Sequence, residues 1–198
     1  MRLMCVVLCV SLGLVLLCGT AQANLLGDPG FEGAAFSGDI ALPWVAAPPF
    51  PAATVGSETW AAETGTYGMA IYWWNNGGTG AFYQDVAVTA GTSYDYSIDA
   101  RRDPGDLAGS VAMQIEWLGA SSNIISTTSE DISTISTAWT NMSLTGVVAP
   151  DSAVTARVMI SAAAVNKAMM FDNASFVPEP ATMALLGLGS LFLARRRK

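Results

Sequence analysis

Carboxylates and aromatic rings are the side chains with which this chain could do chemistry, because the common catalytic partners are missing. It has no histidine, and its three cysteines, Cys5, Cys9 and Cys18, all lie near the N-terminus. Ser-His-Asp and Cys-His catalysis are therefore excluded, and no sulfur ligand for zinc remains beyond that segment. A glycosidase would need two carboxylates flanking a cleft, one with a raised pKa. Glu58, Glu63, Asp99 and Glu116 supply acids, but none sits in a recognisable motif. No phosphate loop, metal triad or nucleophile elbow occurs. The Gly-Gly-Thr-Gly stretch at 77–80 reads as a hairpin turn without the helix a phosphate site requires.

The aromatic residues point to a different chemistry. Sugar binding uses flat apolar ring faces against the C–H faces of a pyranose, with amides and carboxylates reaching the hydroxyls. The chain has six tryptophans, two of them adjacent in Ile71-Tyr72-Trp73-Trp74-Asn75-Asn76. Neighbouring strand residues face opposite ways, so whichever of Trp73 and Trp74 enters the core, the other points out. Gln114 and Glu116 oppose an apolar stripe and are expected on an outer face. Trp117 and Trp139 are expected in the core, the ordinary place for aromatics in a sandwich. The candidate carbohydrate-binding residues are thus Trp73, Trp74, Gln114 and Glu116. No catalytic residue is assigned.

Short strands must position these residues. Tyr94, Tyr96, Ile98 and Ala100 alternate with Asp95, Ser97, Asp99 and Arg101. Val111, Met113, Ile115 and Trp117 alternate with Gln114 and Glu116, and Phe82, Gln84, Val86 and Val88 with Tyr83, Asp85 and Ala87. Each is the period-2 pattern of a half-buried strand. Residues 153–161 and 168–176 read as two more. Turn signals separate them at 75–80, 89–91, 102–106 and 148–151. With no long helical period, the body is expected to be an all-β sandwich or barrel.

The two ends have another character. Arg2, an apolar run from Leu3 to Leu17 and Ala21-Gln22-Ala23 have the form of a signal peptide cleaved after Ala23. A retained anchor and a lipoprotein signal at Cys18 are the alternatives, and Leu17 suits the latter poorly. At the other end, Val177-Pro178-Glu179-Pro180 precedes an apolar run, 181–194, and the basic tail Arg195-Arg196-Arg197-Lys198. The run would form a helix of roughly 21 Å against a hydrocarbon core of ~30 Å. Flanking residues and bilayer thinning would make up part of the gap. The cations would hold the tail on the cytoplasmic side. Between the ends, residues 24–177 carry fifteen acidic and four basic residues, a net of −11, against −7 for the whole chain. So acidic a surface repels nucleic acid and anionic lipid.

The tail resembles the PEP-CTERM sorting signal of Gram-negative bacteria, carried by Pro178, Glu179, Pro180, the apolar helix and the basic end. That resemblance implies export through signal peptidase and a transient inner-membrane anchor. It further implies cutting by an exosortase-type protease near Glu179–Pro180, and delivery to the cell surface or an exopolysaccharide matrix. The body resembles jelly-roll carbohydrate-binding modules of the galactose-binding-like fold, through residues 24–32 as an opening strand, 80–101 as a central hairpin, and 139–161 with 170–176 as closing strands. This implies a structural calcium held between first and last strands by Glu32 and Asp172, hard oxygen ligands that suit the ion. The expected organisation is a signal peptide at 1–23, a jelly-roll β-sandwich at 24–176 and a sorting signal at 177–198. Polysaccharide binding, a purely structural matrix role and, third, glycan hydrolysis remain as alternatives. The exported protein is expected to begin at Asn24 and to carry no thiol. Its intact mass should be unchanged by maleimide, and an adduct would show that the N-terminal segment is retained.

Overall fold

In Ser93–Arg102 the side chains of Tyr94, Tyr96, Ile98 and Ala100 are buried and those between them are half-exposed. That is a strand with one face on a core, and the same alternation organises most of the chain. The computed structural model describes residues 23–47, 54–73, 77–105 and 109–179. Residues 1–22 of the expected signal peptide, Trp74, Pro180, the apolar run 181–194 and the basic tail lie outside them. No helix among the described residues is long and apolar enough to cross a membrane.

The described residues form strands β1 (Val45–Ala47), β2 (Thr54–Glu58), β3 (Gly68–Tyr72), β4 (Gly78–Ala87), β5 (Ser93–Arg102), β6 (Ser110–Leu118), β7 (Ile124–Asp131), β8 (Thr140–Val148), β9 (Thr155–Val165) and β10 (Met169–Pro178). A single 3-10 turn, Thr59–Ala61, follows β2. One five-stranded sheet runs β1-β4-β9-β6-β7 and the other β2-β3-β10-β5-β8. From β4 to β10 the chain crosses repeatedly between sheets, so the inner residues of both close over one core. All five strands expected from alternation are present. The compact body is Asn24–Val177.

Aromatic rings join the sheets. Phe82 on β4 is fully buried, its ring centroid 5.8 Å from Phe31, 5.6 Å from Trp44 and 5.5 Å from Phe171 on the facing sheet. Tyr94 on β5 stacks on Phe176 at 5.0 Å and meets Trp117 of β6 at 6.0 Å. Edge and offset ring contacts of this kind add to the area they bury. Burial pushes the Tyr96 phenol well above its ordinary range, and its hydroxyl has no partner among the described residues.

Two expectations need correction. Residues 24–32 are not a strand, because Asp28 and Phe31 adopt left-handed backbone (φ 47° and 58°) around Pro29, which breaks an extended run. The segment is instead tied to the sandwich by side chains. Asn24 donates to the Ala174 carbonyl at 2.9 Å and accepts from the Phe176 N–H at 2.9 Å. Buried Gln84 exchanges bonds of 2.7 and 2.9 Å with Gly27. The expected closeness to the last strand therefore holds without a first strand. Trp139 is the second correction. It is half-buried on the outside of the second sheet, not in the main core, whereas Trp117 is fully in it.

Truncating Phe82 to Ala would empty the centre of the inter-sheet ring cluster. An unfolding loss of about 3–5 kcal/mol is expected by chemical denaturation, and one below ~1 kcal/mol would show that the sheets are held otherwise.

Candidate functional site

Strands β4, β9 and β6 lie side by side, and their register fixes which outward side chains become neighbours. Tyr83 pairs with Met159, and Met159 with Gln114. One step along, Asp85 pairs with Arg157 and Arg157 with Glu116. On the other side, Ala81 pairs with Ser161 and Ser161 with Ala112. Small side chains at Ala81, Ala112 and Ala47 beside larger ones at Tyr83, Met159 and Arg157 leave a hollow of about 360 Å³ on the outer face of the first sheet.

Arg157 organises this hollow. It grips Asp85 through two bonds, Nε to Oδ1 at 2.8 Å and Nη2 to Oδ2 at 2.9 Å. Glu116 lies 3.8 Å from Nη1, and the guanidinium carbon sits 4.1 Å from the Tyr83 ring centroid. The Asp85 hydrogen bonds raise the Arg157 pKa above its ordinary value and keep the cation charged. One cation between two carboxylates leaves the cluster at −1. Ser161 donates to Gln114 Oε1 at 2.9 Å, which occupies the amide oxygen and leaves its nitrogen with no partner among the described residues. The hollow therefore offers an aromatic ring, a thioether and a carboxylate around a fixed cation, with the Gln114 amide next to it on the same face. That set can bind a polyhydroxylated ligand.

Of the residues expected from sequence, Gln114 and Glu116 share this face. Trp73 does not line the hollow. β3 ends at Tyr72, so strand alternation stops before Trp73, which is half-buried against the backbone of Gly78 at the start of β4. A side chain at residue 78 would collide with the Trp73 Cβ. Trp74 lies outside the described residues. Tyr83, Arg157, Met159 and Ser161 were not singled out from sequence, although the alternation of their strands already put Tyr83 opposite Phe82.

Glu32 and Asp172 come together through the loop 63–67. Asp172 is fully buried, and its Oδ2 accepts from the N–H of Glu63 at 2.8 Å and of Thr64 at 2.9 Å, while Oδ1 accepts from Asn173 at 2.7 Å. Glu32 Oε1 accepts from the N–H of Thr66 at 2.9 Å and Tyr67 at 3.1 Å. Between these pairs Gly65 turns with φ +69°, and a Cβ there would strike the Glu32 carboxylate. Burial raises the Asp172 pKa, the backbone N–H bonds oppose this, and the nearby Glu32 charge adds to the rise. Among the described residues no lysine or arginine pairs with either carboxylate, and no group of three or more metal-ligating side chains occurs. The two acids fit a hard cation in charge and donor type, but backbone carbonyls and water would have to complete the usual six to eight oxygens.

The same architecture recurs among solved structures. A family 16 carbohydrate-binding module matches with a TM-score of 0.58 at 18% identity, covering 78% of this chain and 99% of that one. The CBM22-1 xylan-binding domain of Paenibacillus barcinonensis Xyn10C matches with 0.56 at 13% identity, covering 82% and 98%. The enzymatically active domain of bacteriophage CBA120 tailspike protein 4 gives 0.62 at 11% identity, and this chain spans 21% of its length. The body is thus a jelly-roll β-sandwich with the fold of carbohydrate-binding modules. Residues 176–198 match the PEP-CTERM protein-sorting motif, so the chain carries that signal at its C-terminus. No curated protein matches the chain.

The raised Asp172 pKa has a definite sign. Without a cation, the native state holds this proton more tightly than the unfolded chain, so the contribution is full below 3.8 and is lost as pH rises through the raised native value. In chelator, wild type should therefore gain melting temperature relative to Asp172→Asn as pH falls toward 3.8. A gap that does not change with pH would show that the carboxyl is unshifted.

Proposed function

We propose that this protein is an exported, non-catalytic surface or matrix protein that binds carbohydrate on the outer face of its first sheet. The observation that carries the reading is the hollow in which Tyr83, Met159 and Glu116 surround the clamped Arg157, with Gln114 beside Met159 on the same face. Its aromatic face suits pyranose C–H groups, and its carboxylate and the adjacent amide suit hydroxyls. With the cation already shared by two carboxylates, a neutral sugar fits better than an acidic one. The fold's company among carbohydrate-binding modules supports this reading. In its support the sorting motif adds an itinerary of signal-peptidase removal of 1–23, a transient inner-membrane anchor and cutting by an exosortase-type protease near Glu179–Pro180. The destination is the surface or exopolysaccharide matrix of a Gram-negative cell. Glu32 and Asp172, with backbone carbonyls of the loop they share, would hold a structural calcium that neutralises the buried charge.

Retention on a panel of immobilised neutral polysaccharides, with calcium and with chelator, tests the reading. Tyr83→Ala should weaken the best interaction by about tenfold, the loss of one ring contact of roughly 1.4 kcal/mol. Glu116→Gln should weaken it less. Calcium should raise the melting temperature of wild type and leave Asp172→Asn unmoved. If Tyr83→Ala is retained like wild type on every polysaccharide, a purely structural role replaces this one. Turnover of a glycan abolished by Glu116→Gln would make the domain an enzyme.

A further inference from the structure

The outside of the second sheet carries an aromatic group that the hollow on the first sheet does not use. Ala61, Ala70, Ala168 and Met170 form a small buried layer apart from the main core, with Tyr72 and Trp139 packed on it. Trp60 meets Tyr72 at a ring-centroid distance of 5.4 Å and 76°, and stays 40% exposed. The Arg101 guanidinium carbon lies 5.0 Å from the Trp139 ring centroid, and Nη2 donates to the Trp60 carbonyl at 3.0 Å. One cation thus stands between two tryptophans. The Tyr72 hydroxyl donates to Glu58 at 3.0 Å, which anchors the third ring. Polar bonds hold Arg101 and Tyr72 in place before any ligand arrives, which reduces the ordering cost of binding.

Charge indicates what such a ligand carries. Of the four cations between residues 24 and 177, Arg157 is the one paired with carboxylates among the described residues. Arg101, Arg102 and Lys167 have no carboxylate within 4.0 Å there, in a body with fifteen acids. All three lie where β5 ends and β10 begins, a junction closed by the Asp103 N–H bond to the Ala168 carbonyl at 3.0 Å. Asp99, two residues from Arg101, gives its oxygens to the amides of Asn141 at 2.8 Å and Asn173 at 3.1 Å. Among the described residues the buried Arg101 Nε has no hydrogen-bond partner. A cation with no carboxylate within 4.0 Å among the described residues, bonded to the backbone of the exposed Trp60, is complementary to a sugar with a carboxylate of its own.

We propose that this face is a second glycan site, selective for a uronate unit, with the sugar ring against Trp60 and its carboxylate on Arg101. The proposal rests on the reading of the domain as a glycan binder, but uses none of the residues of the first-sheet hollow. Because the body is strongly acidic, the fitting polymer is a mostly neutral chain with occasional uronates rather than a polyuronate.

The test is affinity electrophoresis of the full chain in non-ionic detergent through glucuronoxylan, and through the same polymer after its carboxyls are reduced to alcohols. Wild type should bind the acidic form about tenfold more tightly, and added salt should shrink that preference. Arg101→Gln and Trp60→Ala should abolish the preference, while Tyr83→Ala should lower affinity most for the carboxyl-reduced polymer and leave the preference for the acidic form standing. Trp60 is exposed enough that its truncation leaves the fold intact, which a melting curve will confirm. Equal binding of the two polymers by wild type, no binding of either, or a preference that survives both substitutions would overturn the proposal. Failure of the first-sheet reading would appear differently, as a Tyr83→Ala protein indistinguishable from wild type.

Discussion

The antiparallel register of β4, β9 and β6 is the constraint on which the rest of the molecule depends. Every second residue of these strands must be buried between the sheets, including Phe82, Ile160 and Met113 in one row. Once that row is fixed, the outward residues have no freedom of neighbour. Asp85, Arg157 and Glu116 must stand abreast, and so must Tyr83, Met159 and Gln114. A slip of one residue in β9 would bury Arg157 and expose Val158, which the loss of apolar burial and the cost of an interior charge forbid. The core thus dictates the surface chemistry.

Arg157 illustrates the difference between stability and position. Its side chain is 29% exposed and that of Asp85 40%, so the pair contributes little to folding in water. What it does is immobilise a guanidinium against the Tyr83 ring and beside Glu116, with the two-point geometry that arginine provides and lysine does not. A lysine there would keep the charge and lose the plane. Asp172 is the contrasting case. It is fully buried and takes three backbone N–H bonds, so its carboxylate is held in place by the chain itself and its charge is the feature left unbalanced.

Period-2 alternation made β4, β5, β6 and β9 readable because each buries mainly one face, whereas β10 alternates only in its second half, Met169 to Asp172 being buried on both faces. β7 was not readable, since Ile124–Asp131 is exposed along nearly its whole length and carries no alternation. Residues 24–32 were expected as a strand from their resemblance to the opening strand of jelly-roll modules, while the left-handed turns at Asp28 and Phe31 leave no sequence signature beyond Pro29 and its neighbouring glycines. Part of this face was visible, in Gln114 and Glu116 opposite a core stripe, and of these Glu116 lines the hollow. The rest needed register, which joins residues some 70 apart such as Asp85 and Arg157 and is set by packing rather than by local pattern. Trp139 escaped for a related reason. An aromatic beside a strand looks like core, and only Ala61, Ala70 and Ala168 together make an outer seat for it.

The two sheets put their outer faces on opposite sides of a slab whose layers lie about 10 Å apart. A glycan lying on the Tyr83 face therefore cannot also reach Trp60 and Arg101 without bending around the domain. A stiff polysaccharide will not do that, so a domain using both faces holds two chains rather than one. Linking two sites multiplies retention only where the chains are already crowded, as in a matrix, because the gain depends on effective concentration. The charge pattern fits the same setting. A body at −11 is repelled by dense polyanions, so its contacts are confined to the few places where a cation or a ring is presented. The two proposed contacts, spatially separated and of opposite preference, would suit a component that bridges unlike strands, whereas an enzyme's binding module would gain more from one deep groove.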